Sequence, residues 1–302
     1  MTAKGSARLG TDPMAQRRRL RQELKRLRTE AGMTQREVAQ ALDWSPSKVI
    51  RIENGTVAVA TTDLRALLML FEMKDKRHEQ ELVEMARASK KQPWAQFRDV
   101  YSHEAIQYFA YEASASIIRE YSNSWVPGLL QTEEYATALL SGVWSPEEKV
   151  VSRKVEFRME RQEELLDREQ PPEMFFIMDE AVLRQGVGGP RTMRRQLERL
   201  AELAKRPEIT IQILPFGSGA HFGMRGPFIY LEFPSEGDDD VLFLENQLGD
   251  QVSRDDTEIT TQFLQAFWDM EEKASPTGAL GAYLDKALAS LSEGNETSET
   301  TT

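Results

Sequence analysis

The chain has 302 residues, a hydrophobic content of 40%, a formal net charge of −11 and no cysteine. Its length predicts about two domains. The lack of cysteine excludes disulfides and thiolate metal sites. Its three histidines are scattered without the spacing of metal ligands, so we expect no metal and no cofactor. No apolar run is long enough for a membrane span and the N-terminus lacks an apolar signal core, which predicts a cytoplasmic protein.

The charge is divided unevenly along the chain. Residues 1–91 carry a net charge of +7, whereas residues 92–302 carry −18. Only the first part therefore has the positive charge that attracts the phosphates of a nucleic acid. The acidic second part should repel DNA and limit non-specific binding.

The N-terminus begins with a polar stretch, residues 1–13, which predicts a disordered arm. A helix is predicted from Met14 to Ala31, with leucines on its inner face. Its outer face is expected to carry Arg17, Arg18, Arg19, Arg21, Lys25 and Arg26. This face is either simply solvated or contacts the DNA backbone, which would add affinity without sequence information.

Two short helices with clear caps follow between residues 34 and 55. Thr34 and Glu37 form a predicted capping box at the start of the first helix, and Ser45 is the predicted cap of the second. The link between the helices is so short that they must cross at a steep angle. This layout is typical of a helix-turn-helix, whose second helix enters the major groove of DNA.

The second of these helices has an apolar inner face and an outer face suited to DNA. Ile50 is unusual on a solvated face but suits a thymine methyl group, and Arg51 suits the O6 and N7 atoms of guanine. We therefore predict base contacts from Ser47, Lys48, Ile50 and Arg51. A helical hairpin that packs on something other than DNA is the alternative.

The stretch resembles the DNA-binding domain of the lambda/434-repressor-like family, also called the Xre family. The resemblance is carried by Leu24, Leu27, Arg28, Gly32, Thr34-Gln35, Val38-Ala39, Leu42, Ser45, Val49, Arg51-Ile52-Glu53 and Gly55. It implies a five-helix domain that binds double-stranded DNA as a homodimer. It also implies an ion pair between Arg28 and Glu53 and phosphate contacts from Gln35 and Asn54, to which we add Ser45. Pro46 and Ile50 depart from the glutamine-type base readers of some relatives, so the operator sequence cannot be transferred.

Two more helices complete this predicted domain. The fourth is expected to be capped by Thr61 or Thr62, and the fifth runs roughly from Asp75 to Lys90. Pro93 then closes the basic section, because the residue before a proline disfavours helix. The predicted helix-turn-helix domain therefore spans residues 14–91.

The second domain opens with a high density of aromatic residues between positions 94 and 144. A helix is predicted over Glu104–Ala113 and a strand over Ser116–Trp125. A Pro127-Gly128 turn then leads to a helix capped by Thr132. The aromatic residues are typical of a core; a ligand pocket or partner groove that includes Arg119 is the alternative.

A long charged helix, capped by Ser145 and running to about Glu169, is expected to be largely solvated. Strands are predicted at residues 174–178, 209–214, 228–233 and 241–245, and helices at residues 191–204 and from Ser253 to about Lys273. This order predicts an α+β, or mixed α/β, C-terminal domain over residues 94–290. Residues 291–302 are rich in serine, threonine and glutamate, which predicts a disordered tail.

Several segments of this second domain are distinctive, namely Val126–Ala136, Arg158-x-x-Arg161-Gln162, Asp179–Arg184, Gln196-Leu-x-x-Leu200 and Ile211–Phe216. Together with the first domain they resemble actinobacterial regulators, the WhiJ-like and Scr1-like proteins, in which an Xre-type domain precedes a C-terminal domain of unknown function. The resemblance covers nearly all of residues 17–290. It implies control of development or secondary metabolism, and a small acidic partner protein that modulates DNA binding. It implies no reaction.

Three features would suit an enzyme, and each has a simpler explanation. Asp179 and Glu180 follow a strand, where catalytic carboxylates often lie, but acids also occupy the first turn of a helix. The glycines of residues 186–189 precede a helix but lack the spacing of a nucleotide-binding loop. Ser218 and His221 could join Asp179 as a triad, although no nucleophile-elbow motif is present.

We therefore expect a sequence-specific transcription regulator and not an enzyme. Its C-terminal domain is expected to dimerise and to bind the small acidic partner protein. The first alternative is a ligand-sensing regulator with a small-molecule pocket in that domain, and the remote alternative is an enzyme fused to a DNA-binding domain. Purification would distinguish the first two readings, through either a stoichiometric small polypeptide or a bound small molecule.

Overall fold

The chain forms two compact units, Met1–Ala95 and Gln96–Thr302. The computed structural model describes residues 13–53, 57–89, 94–234, 240–245, 249–253 and 256–299. A helical N-terminal region is followed by a mixed α/β region, so the predicted fold class is confirmed. The predicted domain boundary at residues 91–94 lies beside the division between the units, and the predicted arm, except for Pro13, lies outside the described residues.

The described part of the N-terminal unit contains five α-helices. They are α1 (Pro13–Glu30), α2 (Gln35–Ala41), α3 (Pro46–Glu53), α4 (Thr61–Leu70) and α5 (Lys76–Ala88). Their apolar faces meet in a single core that includes Leu24, Val38, Val49, Leu64 and Leu82. Helices α2, α3 and α4 are too short to be stable alone in water, so the shared core is what holds them in place.

The basic face of α1 is less exposed than the sequence predicts. Arg21 is buried, and Arg17 donates a 2.7 Å hydrogen bond to the backbone oxygen of Ser89. Arg26 is exposed but pairs with two glutamates of its own helix. Long arginine side chains can cover apolar surface while their guanidinium groups find partners, and α1 therefore uses part of its basic face within the unit.

The cap predicted for α4 is also wrong. Thr61 is already the first residue of α4, and Ala60, the residue before it, provides no side-chain cap. The cap of α5 is Asp75, whose side chain accepts hydrogen bonds from the N–H groups of Arg77 and His78.

The C-terminal unit is built on a mixed six-stranded sheet of order β3-β2-β1-β4-β5-β6. The strands are β1 (Ile117–Ser122), β2 (Glu173–Asp179), β3 (Ile209–Leu214), β4 (Phe228–Glu232), β5 (Val241–Leu244) and β6 (Gln251–Ser253). The central strand β1 is parallel to β2 and antiparallel to β4, with Glu120 opposite Phe176 and Ile229.

Helices lie on both sides of this sheet. They are α6 (His103–Glu112), α7 (Glu133–Val143), α8 (Glu148–Leu166), α9 (Gly189–Leu203), α10 (Thr257–Glu271) and α11 (Leu280–Glu299). Tyr121 packs in one cluster with Phe267 and Met270 of α10. Because successive side chains of a strand alternate between faces, Ile118 and Glu120 point to the opposite side of the sheet.

Element ends in the C-terminal unit differ from the predictions in three places. The strand expected to reach Trp125 stops at Ser122, whose hydroxyl donates a 2.6 Å hydrogen bond to the backbone oxygen of Trp125. Ser145 accepts from the N–H of Glu147 in a turn, and α8 starts only afterwards. Ser253 ends β6 instead of starting a helix, and α10 is capped by Asp256.

Helix α11 is missing from the predictions altogether. It follows Pro276 and Gly278, two residue types that are typical of irregular structure. In the structure Leu280, Leu284 and Ala287 are buried at helical spacing. The backbone stays helical through Glu299, so residues 291–299 differ from the predicted disordered tail, while residues 300–302 lie outside the described residues.

Candidate functional site

Helices α2 and α3 have the geometry of a helix-turn-helix. The side chain of Thr34 accepts from the N–H of Glu37, and the Glu37 carboxylate accepts from the N–H of Thr34, so the capping box is formed. Asp43 has a left-handed backbone with φ of 55°, which turns the chain sharply between the helices. The hydroxyl of Ser45 accepts a 3.3 Å hydrogen bond from the N–H of Lys48 and caps α3.

Three of the predicted base contacts share one accessible face of α3. Val49 and Ile52 are buried, whereas Ser47, Ile50 and Arg51 are exposed. Ile50 retains 41% of its surface although it is a large apolar residue. Arg51 Nε lies 3.3 Å from the backbone oxygen of Ser47. This face therefore offers a methyl-rich side chain, a hydroxyl and a guanidinium side by side.

The fourth predicted base contact, Lys48, is held to one side of that face. Its Nζ lies 2.9 Å from Oδ1 of Asp63 and 3.7 Å from the centre of the Trp44 ring. An ammonium group over an indole face is attracted to it. Lys48 must leave Asp63 before it can reach a base.

Glu53, at the end of α3, links three parts of the N-terminal unit. Its Oε1 lies 2.6 Å from Nε of Arg28 in α1, and its Oε2 accepts a 2.7 Å hydrogen bond from Nε2 of Gln35 in α2. Arg28 also donates to the backbone oxygen of Met33. Glu53 is 6% exposed, so its charge is buried but paired.

This arrangement bears on the predicted phosphate contacts. The side chain of Gln35 is bound to Glu53, and the hydroxyl of Ser45 is bound to the first turn of α3. Both residues lie at the N-terminal ends of their helices or beside them, where a phosphate is favoured. Asn54 lies outside the described residues.

In the C-terminal unit, three of the distinctive segments meet around residues 126–132. Gln162 of α8 donates to the backbone oxygens of Gly128 and Gln131, at 2.8 and 2.9 Å. From the other side, Gln196 of α9 donates a 2.8 Å hydrogen bond to the backbone oxygen of Leu130. Gln131, Gln162 and Gln196 are all buried. Because buried polar groups need partners, this network fixes the segment between two helices.

The fixed segment lies against two arginines of α8. A Cβ atom on Gly128 would lie 2.7 Å from Nη2 of Arg161 and 3.8 Å from Nε of Arg158. Arg158 donates to the side-chain oxygen of Gln131. Arg161 Nε lies 3.2 Å from Oε2 of Glu112, close enough for an ion pair but without the alignment of a hydrogen bond. Glycine at position 128 therefore allows both guanidinium groups to approach the segment.

The prediction that α8 is largely solvated is wrong for this inner face, where Phe157, Arg161 and Gln162 are buried. The opposite face has the surface pairing that the sequence suggests, for example between Arg153 and Glu156. The mixed charges of the exposed face make the buried polar residues of the inner face difficult to recognise from the sequence.

The two arginines line a cavity of about 1010 Å³ within the C-terminal unit. Tyr108 stacks on Phe243 in its wall with ring centres 4.1 Å apart, and Trp125 and Trp144 meet edge to face at 5.2 Å. Small-molecule sites are typically concave and aromatic with a few convergent polar groups. Part of the aromatic-rich stretch thus lines a cavity as well as filling a core.

Glu120 lines the same cavity from the central strand. The residue is 8% exposed, and its carboxyl makes no hydrogen bond within the described part of the chain. Burial raises the pKa of Glu120 to about 8, against the opposing effect of the Arg161 charge. The carboxyl is therefore largely protonated at neutral pH. The sequence did not single out Glu120, because a glutamate in a strand is typical of the alternation between buried and exposed positions.

Arg119, expected in a possible pocket, lies on the other face of β1. Its Nε is 2.7 Å from Oε1 of Glu232, and its guanidinium lies 4.6 Å from the centre of the Phe175 ring. Arg119 does not line the cavity.

The two carboxylates considered for catalysis, and Gly188 of the glycine-rich loop, have structural roles. Asp179 accepts from the N–H of Ala181 and caps a short turn, and Glu180 pairs with Arg184. Gly188 precedes α9 with φ of 69°, and a Cβ there would lie 2.9 Å from Cβ of Ala138. Close helix packing and a left-handed backbone therefore explain this glycine.

The proposed triad is not assembled. Among the residues that the structure describes, no hydrogen bond joins Ser218, His221 and Asp179, and His221 Nδ1 is buried without a hydrogen-bond partner. The His221 ring lies edge-on to Tyr121, with ring centres 6.1 Å apart. The described ranges also contain no cluster of three histidine, aspartate or glutamate side chains that could hold a metal ion.

Comparisons with known proteins divide the chain in the same way. A family model described as a helix-turn-helix domain (HTH_31) matches residues 19–81, and one described as a domain of unknown function (DUF5753) matches residues 106–279. Searches of curated proteins and of solved structures gave no significant match. Within the described residues, no helix combines the length and apolar character needed to cross a membrane. The second model covers more than half of the sequence, and the chain therefore belongs to the DUF5753 family, with a helix-turn-helix domain at its N-terminus.

Proposed function

We propose that the protein is a sequence-specific transcription regulator that places α3 in the major groove of double-stranded DNA. The exposed face of α3, with Ser47, Ile50 and Arg51 opposite the buried Val49 and Ile52, is the observation that carries this proposal. Side chains of these types suit base edges and thymine methyl groups. The helix-turn-helix match and the positive charge of residues 1–91 support it.

The remaining contacts belong to the same proposal. Lys48 joins the base-contacting residues when it leaves Asp63. Gln35, Ser45 and Asn54 contact phosphates and position α3 without reading sequence. Arg28 and Glu53 support this arrangement from within, because their ion pair holds the end of α3 against α1.

For the C-terminal domain, we propose a regulatory role without a reaction. The resemblance to the Xre family and to the WhiJ-like and Scr1-like proteins supports a cytoplasmic homodimer that responds to a small acidic partner protein and controls development in actinobacteria. A catalytic domain remains the remote alternative. It is disfavoured by the separate structural roles of Asp179 and Glu180 and by the unassembled triad.

A ligand-sensing C-terminal domain is the second candidate, and one observation favours it. The cavity of about 1010 Å³ contains charged side chains that a simple interaction domain does not need. In this reading, a small molecule in the cavity changes the DNA affinity of the regulator by binding one of its conformations more tightly.

Selection of the full chain on a random pool of double-stranded oligonucleotides, across a salt series, tests the main proposal. We expect Arg51→Ala to weaken binding to the selected site by about 1–3 kcal/mol and to relax preference at one base pair. Arg77→Ala is the control, because Arg77 is an exposed arginine on α5. Equal weakening of Arg51→Ala on every sequence would contradict a base-reading role, and absence of any selected sequence would contradict the proposal as a whole.

A further inference from the structure

The cavity of the C-terminal unit has a size that suits an organic ligand. Its volume of about 1010 Å³ is at the upper end of the range for small-molecule sites, roughly 300–1,000 Å³. It is formed by α6, α8, β1 and the segments around them. The lining residues that the structure describes all belong to the C-terminal unit.

Arg158, in the wall of this cavity, has no ion-paired carboxylate among the described residues. Arg158 is bound to the neutral side chains of Gln131 and Tyr101, and within the described ranges it forms no ion pair. Arg161 beside it is paired with Glu112. A guanidinium group is planar and presents several N–H donors, which match the two oxygens of a carboxylate. Arg158 is therefore available to bind an anionic group that enters the cavity.

The second unusual group in the wall is the carboxyl of Glu120. It lies in the central strand, is more than nine-tenths buried, and has no hydrogen-bond partner among the described residues. An unpaired buried carboxyl destabilises the fold, so packing alone does not explain it. The charged groups that face it are Arg158, Arg161, Glu112 and Glu245.

The Glu120 carboxyl and the Arg158 guanidinium can both bind an anionic group near neutral pH. Burial raises the pKa of Glu120 to about 8, so its carboxyl is mostly neutral and able to donate a hydrogen bond. Arg161 is paired with Glu112, whereas Arg158 faces the carboxyl of Glu245 without forming an ion pair with it. A ligand with a single negative charge is repelled less strongly by the Glu245 carboxyl than a doubly charged phosphate is.

The rest of the cavity wall suits a flat apolar group, such as an aromatic ring system. The stacked pair Tyr108 and Phe243 and the edge-to-face pair Trp125 and Trp144 both line the cavity. Aromatic rings favour offset stacking or edge contacts with other rings. The aromatic surface and the Arg158 guanidinium thus line the same cavity.

We propose that this cavity binds a small aromatic carboxylic acid, with the carboxylate on Arg158 and the ring system against Trp125, Tyr108 and Phe243. The neutral carboxyl of Glu120 donates a hydrogen bond to the bound anion. This inference deepens the sensing role proposed above. Direct binding to the full chain is measured without DNA, so its failure is distinguishable from a failure to bind DNA.

Isothermal titration calorimetry of the full-length chain at pH 7 tests the proposal with three sets of probes. The first set contains aromatic carboxylates of one to three rings, with benzoate and 2-naphthoate among them. The second contains the matching neutral amides, and the third the matching aryl phosphates. We expect at least one carboxylate to bind saturably and about 10- to 100-fold more tightly than its amide, because charge-assisted hydrogen bonds to an arginine are lost in the amide. We expect the aryl phosphate to bind more weakly than the carboxylate.

Variants decide whether the cavity is responsible. Arg158→Gln should remove the preference for the acid over the amide, whereas Arg199→Gln, on an arginine of α9 outside the cavity, should keep it. Glu120→Gln is a second variant, which tests the cavity even if Arg158→Gln does not fold. We expect the parent chain to bind the acid more weakly at pH 9 than at pH 7, because Glu120 ionises between these values. Glu120→Gln should bind the acid equally at both. The proposal is overturned if no carboxylate binds, if amide and acid bind equally, if phosphates bind better, or if Arg158→Gln keeps the preference for the acid.

Discussion

Arg28 and Glu53 form a buried ion pair that ties α1 to the end of α3, with Nε and Oε1 2.6 Å apart. The side chains are 14% and 5% exposed, and Gln35 and the backbone of Met33 supply further hydrogen bonds. The end of the helix that we propose to enter the major groove is thus held by an ion pair that has little contact with water.

Arg28→Ala should destabilise the N-terminal unit by about 3 kcal/mol, because Glu53 would keep a buried charge without its cation. We expect a clear fall in the melting temperature of the full chain. Arg26→Ala is the matched control, since Arg26 is 51% exposed and pairs with Glu23 on the surface. It should change stability by less than about 1 kcal/mol. Equal melting temperatures for the two variants would argue against a stabilising pair.

Asp63→Asn should increase DNA affinity about two- to fivefold if Lys48 contacts DNA. The side chains of this ion pair are 33% and 27% exposed, and partly exposed pairs are worth no more than about 1 kcal/mol. The measurement is a double-mutant cycle of DNA affinity that combines Asp63→Asn with Lys48→Ala. If the gain persists in the Lys48→Ala background, it comes from the lost negative charge alone and not from release of Lys48.

The helix-turn-helix could be predicted from the sequence because its signals are local. The capping box of Thr34 and Glu37 requires residues only three positions apart, and the spacing of Val49 and Ile52 identifies the buried face of α3. The engagement of Lys48 by Asp63 could not be predicted in this way. It depends on how α3 and α4 pack, and neither residue has an unusual neighbourhood in the sequence.

The cavity depends on longer-range relationships, which local patterns do not record. Gln162 and Gly128 are 34 residues apart, and Gln196 and Leu130 are 66 apart. The family resemblance drew attention to these segments, but the sequence did not indicate that they meet. Glu120 was missed because its significance comes from the absence of a partner, which only the packed structure can show.

Gly128→Ala should destabilise the C-terminal unit by about 1–3 kcal/mol, as expected for overpacking. The added Cβ would lie 2.7 Å from Nη2 of Arg161 and would push that side chain away from Glu112. Gly142→Ala is the control, because Gly142 lies in α7 and its Cβ would meet nothing within 4 Å. Since alanine favours helix over glycine by up to about 1 kcal/mol, this variant should keep or raise the melting temperature. A neutral Gly128→Ala would contradict the close approach of Arg161.

Glu120 should make the stability of the protein fall as pH rises from about 5 to 8. Its pKa is raised by burial to about 8 in the folded chain, against about 4.3 for an unperturbed glutamate. Between these values the folded state holds more protons than the unfolded state, so the free energy of unfolding contributed by this residue decreases with pH, by up to about 1.4 kcal/mol per pH unit. Below pH 4 and above pH 9 its contribution should be nearly constant.

Glu120→Gln should remove this dependence while preserving the shape of the side chain. The measurement is the melting temperature of variant and parent at pH 5, 6, 7, 8 and 9, and we expect the difference, variant minus parent, to rise up to about pH 8 and then level off. Glu134→Gln is the control, since Glu134 is exposed and interactions with its own backbone N–H and with Arg195 lower its pKa. It remains ionised throughout this range, and its difference should stay flat. A flat difference for Glu120→Gln as well would mean that Glu120 is ionised in the folded chain at neutral pH and does not donate the hydrogen bond proposed for the bound anion.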